Sequence, residues 1–330
     1  MAKSSLLVLL CLFLFGSCKQ QDQKDLMPSY AGNYNRILIV TSNELWRGNV
    51  GDSIREFLAA GIDGIRPMEP MFTLDQISED LFNGKEKGGR NIIYFDLKAK
   101  KNSFEVLSDK YAVPQNFFYI RSNSTTGLIK EFKENVDSII HVVHNFEIAE
   151  IQRRLEEGKL HQCDFLEKEF GVGMKLPLDY KQVFYDGNLV WFKKEIASGN
   201  SNIMIYEIPF TKLKRQDNFE DGLSELLKIK DSIVSKYIHS SEMGSYMKID
   251  GDYVTFHKKL MLDKHEAVEL RGSWDMNNSF MDGPFICYPI KDEKHKRYLF
   301  VEGFTYNPSM SKRDILFEIE AIIKTVHFIR

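Results

Sequence analysis

Three groups of residues have the types and spacing for chemistry. His141, His144 and Glu147 lie three apart in a segment with helical periodicity. Neighbours at that spacing share a helix face, so the three are a candidate metal set. Against this, successive steps of three drift around a helix, no HExxH occurs, and Val142, Val143 and Phe146 are interleaved. The bland alternative is a polar flank of an amphipathic helix. Arg47-Gly48-Asn49-Val50-Gly51-Asp52-Ser53 puts glycines ahead of a helix start, where backbone N–H groups meet anions. It has neither GxGxxG nor the P-loop ending, and Asp52 as N-cap would occupy the same donors, so a tight turn explains it equally. The densest signal is Arg271-Gly272-Ser273-Trp274-Asp275-Met276, followed by Phe280 to Phe285 and by Glu302 to Pro308. On an alternating strand Arg271, Ser273 and Asp275 face one way and Gly272, Trp274 and Met276 the other. Arg271 with Glu302 is then a candidate cross-strand salt bridge, and Trp274, Phe285 and Tyr306 candidate walls of a groove. The alternative is that these aromatics fill a core. No GxSxG, SxxK or Cys/His signature occurs, so no catalytic set is recognisable and no cofactor is expected.

A different chemistry is written at the amino terminus. Lys3 precedes an apolar run, Leu6 to Phe15, of signal-sequence length and too short to span a bilayer. It ends in Phe15-Gly16-Ser17-Cys18, small residues before a cysteine, as in a loose lipobox. Cys18 is therefore expected to be lipidated after cleavage. The polar stretch Lys19 to Asp25 reads as a tether. Of the other cysteines, Cys11 leaves with the leader, and Cys163 and Cys287 are either a disulfide or two buried thiols. The net charge of −3, without any basic block, argues against a nucleic-acid partner.

The elements that must position these residues follow from periodicity. Arg36 to Thr41 is a buried strand, and a helix capped by Asp52 carries Ile54, Phe57 and Leu58. Pro67 and Pro70 mark an extended connection. Thr73 with Gln76 predicts a capping box for a helix with Leu74, Ile77 and Leu81. Asn91 to Leu97 and Asn116 to Arg121 are strands, and a long helix covers Gly127 to Glu157. The second half predicts strands at Val172 to Leu176, Leu189 to Ile196 and Ile203 to Pro209, then a helix from Glu220 to Ile238. Strands at Tyr253 to Lys259, Glu266 to Asp275, Gly283 to Ile290 and Arg297 to Tyr306 follow. A last helix starts from a Ser311/Asp314 box. The expected organisation is a leader (1–18), a tether (19–34), a small α/β lobe (35–158) and an antiparallel-sheet α/β/α sandwich (159–330), α+β overall. With its Gly171-Val172-Gly173-Met174-Lys175-Leu176-Pro177 opening and closing amphipathic helix, the second lobe resembles the PsbP-type pattern, a likeness of order that implies no function.

RGSWDM, FMDGPFICY, VEGFTYNPSMSKRD and the closing helix with Glu320-Ala321-Ile322-Ile323 resemble the lipoproteins grouped as domain of unknown function 4837. ELWRGNVGDSIREFL and the leader are similar too. The resemblance implies an envelope lipoprotein of a Gram-negative, Bacteroidetes-type bacterium and no particular activity. Trp46, Asp52 and Arg55 from the first segment, with Arg271, Trp274, Phe285, Glu302 and Tyr306, are the candidate binding residues. Because Lys19-Gln20-Gln21-Asp22 is not an acidic run, the expected location is the outer membrane, facing the periplasm. The favoured expectation is a non-enzymatic module binding an envelope protein or glycan. The rival is an envelope hydrolase using a carboxylate such as Glu302 or Asp275.

Overall fold

The computed structural model describes residues 33–162, 164–213 and 219–329. The leader, Cys18, most of the tether and Cys163 lie outside them. In the first half, β1 (Arg36–Val40) leads through α1 (Asn43–Arg47) and α2 (Asn49–Leu58) to β2 (Thr73–Ile77). Then come β3 (Asn91–Asp96), β4 (Ser103–Ser108), β5 (Asn116–Arg121) and the long helix α3 (Thr125–Glu157). The sheet order is β2-β1-β3-β5-β4, parallel except for β4. The near-continuous apolar runs of β1, β3 and β5 suit central strands covered on both faces. Ile37, Ile39, Ile93, Phe95, Phe118 and Ile120 bury against α2 and against the stripe Leu128, Phe132, Val136, Ile139 and Val143 of α3.

Two expectations fail here for clear reasons. Thr73 to Leu81 does not form a helix. Leu74 packs with the helix-side cluster and Ile77 with the opposite one. Three residues apart on a strand means opposite faces, whereas a helix would put both on one. The Arg36 guanidinium grips Asp75 across the β1–β2 pairing at 3.0 and 2.8 Å. Asp52 does not cap α2 either. The N-cap is Gly48, and Asp52 lies inside the first turn. Ser42 instead caps α1, its Oγ accepting from the Leu45 N–H at 3.2 Å. Gly51 has its own reason: a Cβ there would lie 1.8 Å from the Trp46 carbonyl oxygen, so only glycine lets the two short helices abut.

The second half continues with α4 (Asp164–Phe170), β6 (Val172–Gly173), β7 (Lys181–Tyr185), β8 (Leu189–Ile196), β9 (Gly199–Pro209) and α5 (Phe219–Tyr237). Then follow β10 (Met247–Ile249), β11 (Phe256–Leu262), β12 (His265–Met276), β13 (Ser279–Asp292), β14 (Arg297–Tyr306), α6 (Arg313–Ile323) and β15 (His327–Phe328). An eight-stranded antiparallel sheet runs β10-β12-β13-β14-β9-β8-β7, with β11 also on β12. Leu316, Ile319, Ile322 and Ile323 of α6 cover one face, over Ile203, Ile205, Ile286 and Val301. Leu223, Leu226 and Val234 of α5 cover the other, over Met204, Tyr206, Phe285, Phe300 and Phe304. This is the expected α/β/α sandwich. The expected strand from Val172 to Leu176 shrinks to two residues, paired with β15.

The two sheets are stitched together around α6. Ile148 and Ile151 of α3 pack on Phe317 and Ala321, and Gln152 Nε2 donates to the Ala321 carbonyl at 3.0 Å. The segment 61–72 reaches across from the first half. Gly64 lies so close to Gly272 that an added Cβ would sit 2.8 Å from its nitrogen. Ser273 Oγ donates to the Gly64 carbonyl at 3.1 Å. The Ser311/Asp314 box does not form. Ser311 precedes the N-cap Lys312, whose side chain makes no capping bond. Glu69 caps α6 instead, accepting from the Lys312 and Arg313 backbone N–H groups at 2.8 and 2.9 Å and from the Ser311 hydroxyl. A carboxylate on orphan N–H groups at a helix N-terminus is favoured by hydrogen bonding and by the dipole. Glu69→Ala is therefore expected to lower stability by about 1–2 kcal/mol. Amide exchange should quicken in the first turn of α6. Unchanged protection there would contradict the assignment.

Candidate functional site

The sequence-selected residues fall into separate places. Trp46, Asp52 and Arg55 do come together. The Arg55 guanidinium stacks 4.6 Å from the Trp46 ring centroid, donates to the Trp46 carbonyl at 3.1 Å and pairs with Asp52 at 2.7 Å. That cluster fastens α1 to α2. The His141, His144 and Glu147 set is split. His141 hydrogen-bonds Asn145 at 2.9 Å, and His144 reaches Glu320 of α6 at 3.1 Å. Glu147 points the other way and is fully buried, accepting from Arg90 at 2.8 Å and Asn91 at 2.6 Å. Burial raises its carboxyl, with Arg90 and Asn91 opposing. Among the described residues no group of three metal-ligating side chains assembles.

Arg271 and Glu302 do not pair, because they lie on opposite faces of the large sheet. Glu302 faces α5 and meets Lys230 at 3.0 Å, both side chains fully buried. Tyr206 donates to the second Glu302 oxygen at 3.1 Å, and the Lys230 ammonium sits 3.8 Å from the Phe285 ring centroid. Trp274, Phe285 and Glu302 are 2% exposed or less, and Tyr306 is half-buried beside them. They are core, and the proposed aromatic groove is filled by its own side chains. Cys287, a free thiol, is buried in the same layer, where burial and then Glu302 push its pKa up. Glu302 is closed to any substrate. Asp275 lies near the β10 edge, where Lys248 approaches at 3.5 Å. Burial raises its carboxyl, with Lys248 opposing.

Arg271 leads to the site that sequence reasoning missed. Its Nε donates to Glu269 at 2.6 Å and its Nη2 to Glu320 at 2.6 Å. Glu320 also takes Lys324 at 2.5 Å and His144, and Glu269 accepts from the Tyr288 hydroxyl at 2.8 Å. This chain of charges floors a cavity of about 490 Å³ between the two halves. One wall is the α3 stripe Asp137, Ile140, His141, His144 and Asn145; another is Ile62, Asp63 and Met71 of the bridging segment. Lys258 of β11 and Arg313 and Phe317 of α6 also line it. Lys258 is directly opposite Glu269 in the β11–β12 register.

Electrostatics fixes what this floor can do. Burial would raise the Glu320 carboxyl, but Arg271, His144 and Lys324 together outweigh it and hold it well below the usual carboxylate range. Glu269 is likewise lowered: burial pushes it up, Arg271 pulls it further down. Both are fixed anions, unfit as general acids near neutral pH and suited to holding Arg271 in place. Asp63 differs: burial raises its carboxyl and Arg271 only partly offsets this.

The missed residues left one signal each. Glu269 and Arg271 are two apart on a strand and so share a face, and Glu320 lies on the apolar stripe of the last helix, three residues from both Phe317 and Ile323. Because their folded-state pKa values are depressed, Glu320 and Glu269 contribute stability that is present above the unfolded carboxylate value of 4.5 and is lost as pH falls below it. Glu320→Gln should lower stability at pH 7 by about 3–5 kcal/mol. It should also flatten the loss of stability on acidification below that value. Denaturant unfolding from pH 7 to pH 3 checks both, and an unchanged slope would contradict the depressed carboxyl.

A family model described as Domain of unknown function (DUF8532) matches residues 31–156, and one described as Domain of unknown function (DUF4837) matches residues 159–325. No curated protein matches the chain. Among solved structures, a protein from Bacteroides thetaiotaomicron is similar at 12% identity over 49% of this chain and 46% of that one, with a TM-score of 0.28. The Saccharomyces cerevisiae Ran-binding protein Mog1p is similar at 5% identity over 48% of this chain and 90% of that one, with a TM-score of 0.32. The chain thus spans about half the length of the first of these structures. With the second family model extending over just more than half of its length, the chain belongs to the family described as Domain of unknown function (DUF4837).

Proposed function

We propose that this protein is a lipid-anchored envelope lipoprotein whose folded part is a non-enzymatic binding module, with the cleft between its two sheets as the ligand site. The observation that carries the reading is the cavity floored by Glu269, Arg271, Glu320 and Lys324. Its charges are locked by one another, which suits recognition by a preorganised surface. A carboxylate hydrolase is favoured less. It needs a protonated acid beside a second carboxylate at a substrate, and of the two carboxylates considered for it, Glu302 and Asp275, Glu302 has no exposure. The anchor rests on the apolar Leu6 to Phe15 run and on Gly16-Ser17-Cys18. No helix among the described residues is long and apolar enough to cross a membrane. The partner is an envelope protein or glycan, presented to a module tethered at the outer membrane and facing the periplasm.

One experiment on the intact protein in its own envelope tests both parts. A photo-crosslinking residue replaces Asn145 at the cleft rim or, as control, Glu195 on β8. A discrete adduct is expected from Asn145 only, and Cys18→Ser should release the protein from the membrane fraction. Adducts from Glu195 and none from Asn145 would overturn the cleft, and continued membrane retention of Cys18→Ser would overturn the anchor.

A further inference from the structure

The cleft carries a second layer of charge beyond its locked floor. Within the floor Arg271 and Lys324 balance Glu269 and Glu320. Three side chains lining the same cavity, Asp63, Asp137 and Lys258, make no hydrogen bond or salt bridge among the described residues. Arg271 spends Nε and Nη2 on its two carboxylates, and no hydrogen bond among the described residues uses Nη1. Of the side chains outside the locked floor, Lys258 rises from the sheet beside Arg271, whereas Asp137 and Asp63 come from α3 and the bridging segment; Arg313 also lines the cavity but is paired with Asp314. Between them lie the apolar side chains of Ile62, Met71, Ile140 and Phe317. A cavity of about 490 Å³ lies within the range of small-ligand pockets.

From this juxtaposition we infer that the cleft takes a zwitterionic ligand, a short peptide with a free ammonium and a free carboxylate. The inference rests on the cleft being the ligand site. The ligand carboxylate meets Lys258 and Arg271, its ammonium meets Asp137 and Asp63, and its side chains lie on the apolar strip. Other ligand classes fit less well. A phosphate or sulfate ester would be repelled by two carboxylates, and a simple cation by Lys258 and Arg271. A neutral glycan would hydrogen-bond these side chains but leave their charges uncompensated.

The probes are tripeptides of mixed apolar sequence in four forms: free, N-acetylated, C-amidated and doubly capped. Neutral oligosaccharides and phosphorylated sugars are added as other classes. They are titrated into the full-length protein in detergent micelles and read from the methyl resonances of Ile62, Met71 and Ile140. Free tripeptides are expected to shift those methyls saturably, with each cap weakening binding at least tenfold. Lys258→Ala should erase the penalty for C-amidation, and Asp137→Asn the penalty for N-acetylation. Doubly capped peptides, oligosaccharides or phosphorylated sugars that shift the same methyls as strongly would keep the cleft as a site and overturn the ligand class. If no probe moves these methyls, the ligand class fails; the Asn145 crosslink then decides separately whether the cleft itself stands.

Discussion

The Arg271 guanidinium, held between Glu269 on its own strand and Glu320 on α6, is the centre of the charge chain around which the cleft is built. A charge taken out of water is tolerated only where partners and hydrogen bonds replace the solvent. Here the partners come from three elements, because His144 of α3 also reaches Glu320. The ionic chain therefore joins the large sheet, the helix covering it and the long helix of the first half. Around it, α3 packs on α6 and the segment 61–72 crosses over β12, with Glu69 capping α6. The seam between the halves and the floor of the cleft meet at Glu320, which His144 of α3 reaches, so whatever enters the cleft touches the joint.

The opposite face of the sheet repeats the principle in closed form. Lys230 and Glu302 join α5 to β14 inside an aromatic layer made by Tyr206, Phe285 and Phe300. A buried pair of this kind adds little net stability over an apolar pair, but losing one partner is severe. It specifies how α5 is seated. The contrast between the faces separates roles: one ionic cluster is sealed, whereas the other lines a cavity between two bodies.

Much of the fold could be read from periodicity. The stripe of α3, the apolar runs of β1, β3 and β5, and the β-α-β-α order of the second half all follow from spacing of 3.6 or 2. The failure at Thr73 came from Leu74, Ile77 and Leu81, whose spacing fits the helical period; pairing with β1, with Leu74 and Ile77 buried on opposite faces of the sheet, overrides it. The α6 cap was illegible because its carboxylate, Glu69, comes from more than two hundred residues earlier in the chain. The site was read in part. RGSWDM does bring Arg271 to the cleft, but strand alternation also sends Trp274 into the core, and the pairing of Arg271 with Glu302 ignored that β14 turns Glu302 toward α5. The clearest unread signals are charges inside apolar helix stripes: Lys230 between Leu226 and Val234, and Glu320 beside Phe317 and Ile323. The cleft joins segments 61–72, 137–145, 258–271 and 317–324, and local pattern holds no record of their meeting.

The central claim is that Arg271 and Glu320 act as a unit beneath the cleft, which His144 of α3 reaches from the first half. A double-mutant cycle with Arg271→Met, Glu320→Leu and the pair, followed by denaturant unfolding, measures it directly. A coupling of about 1–3 kcal/mol is predicted, so the double variant loses less stability than the sum of the two single losses. Effects that add to within about 0.5 kcal/mol would contradict it.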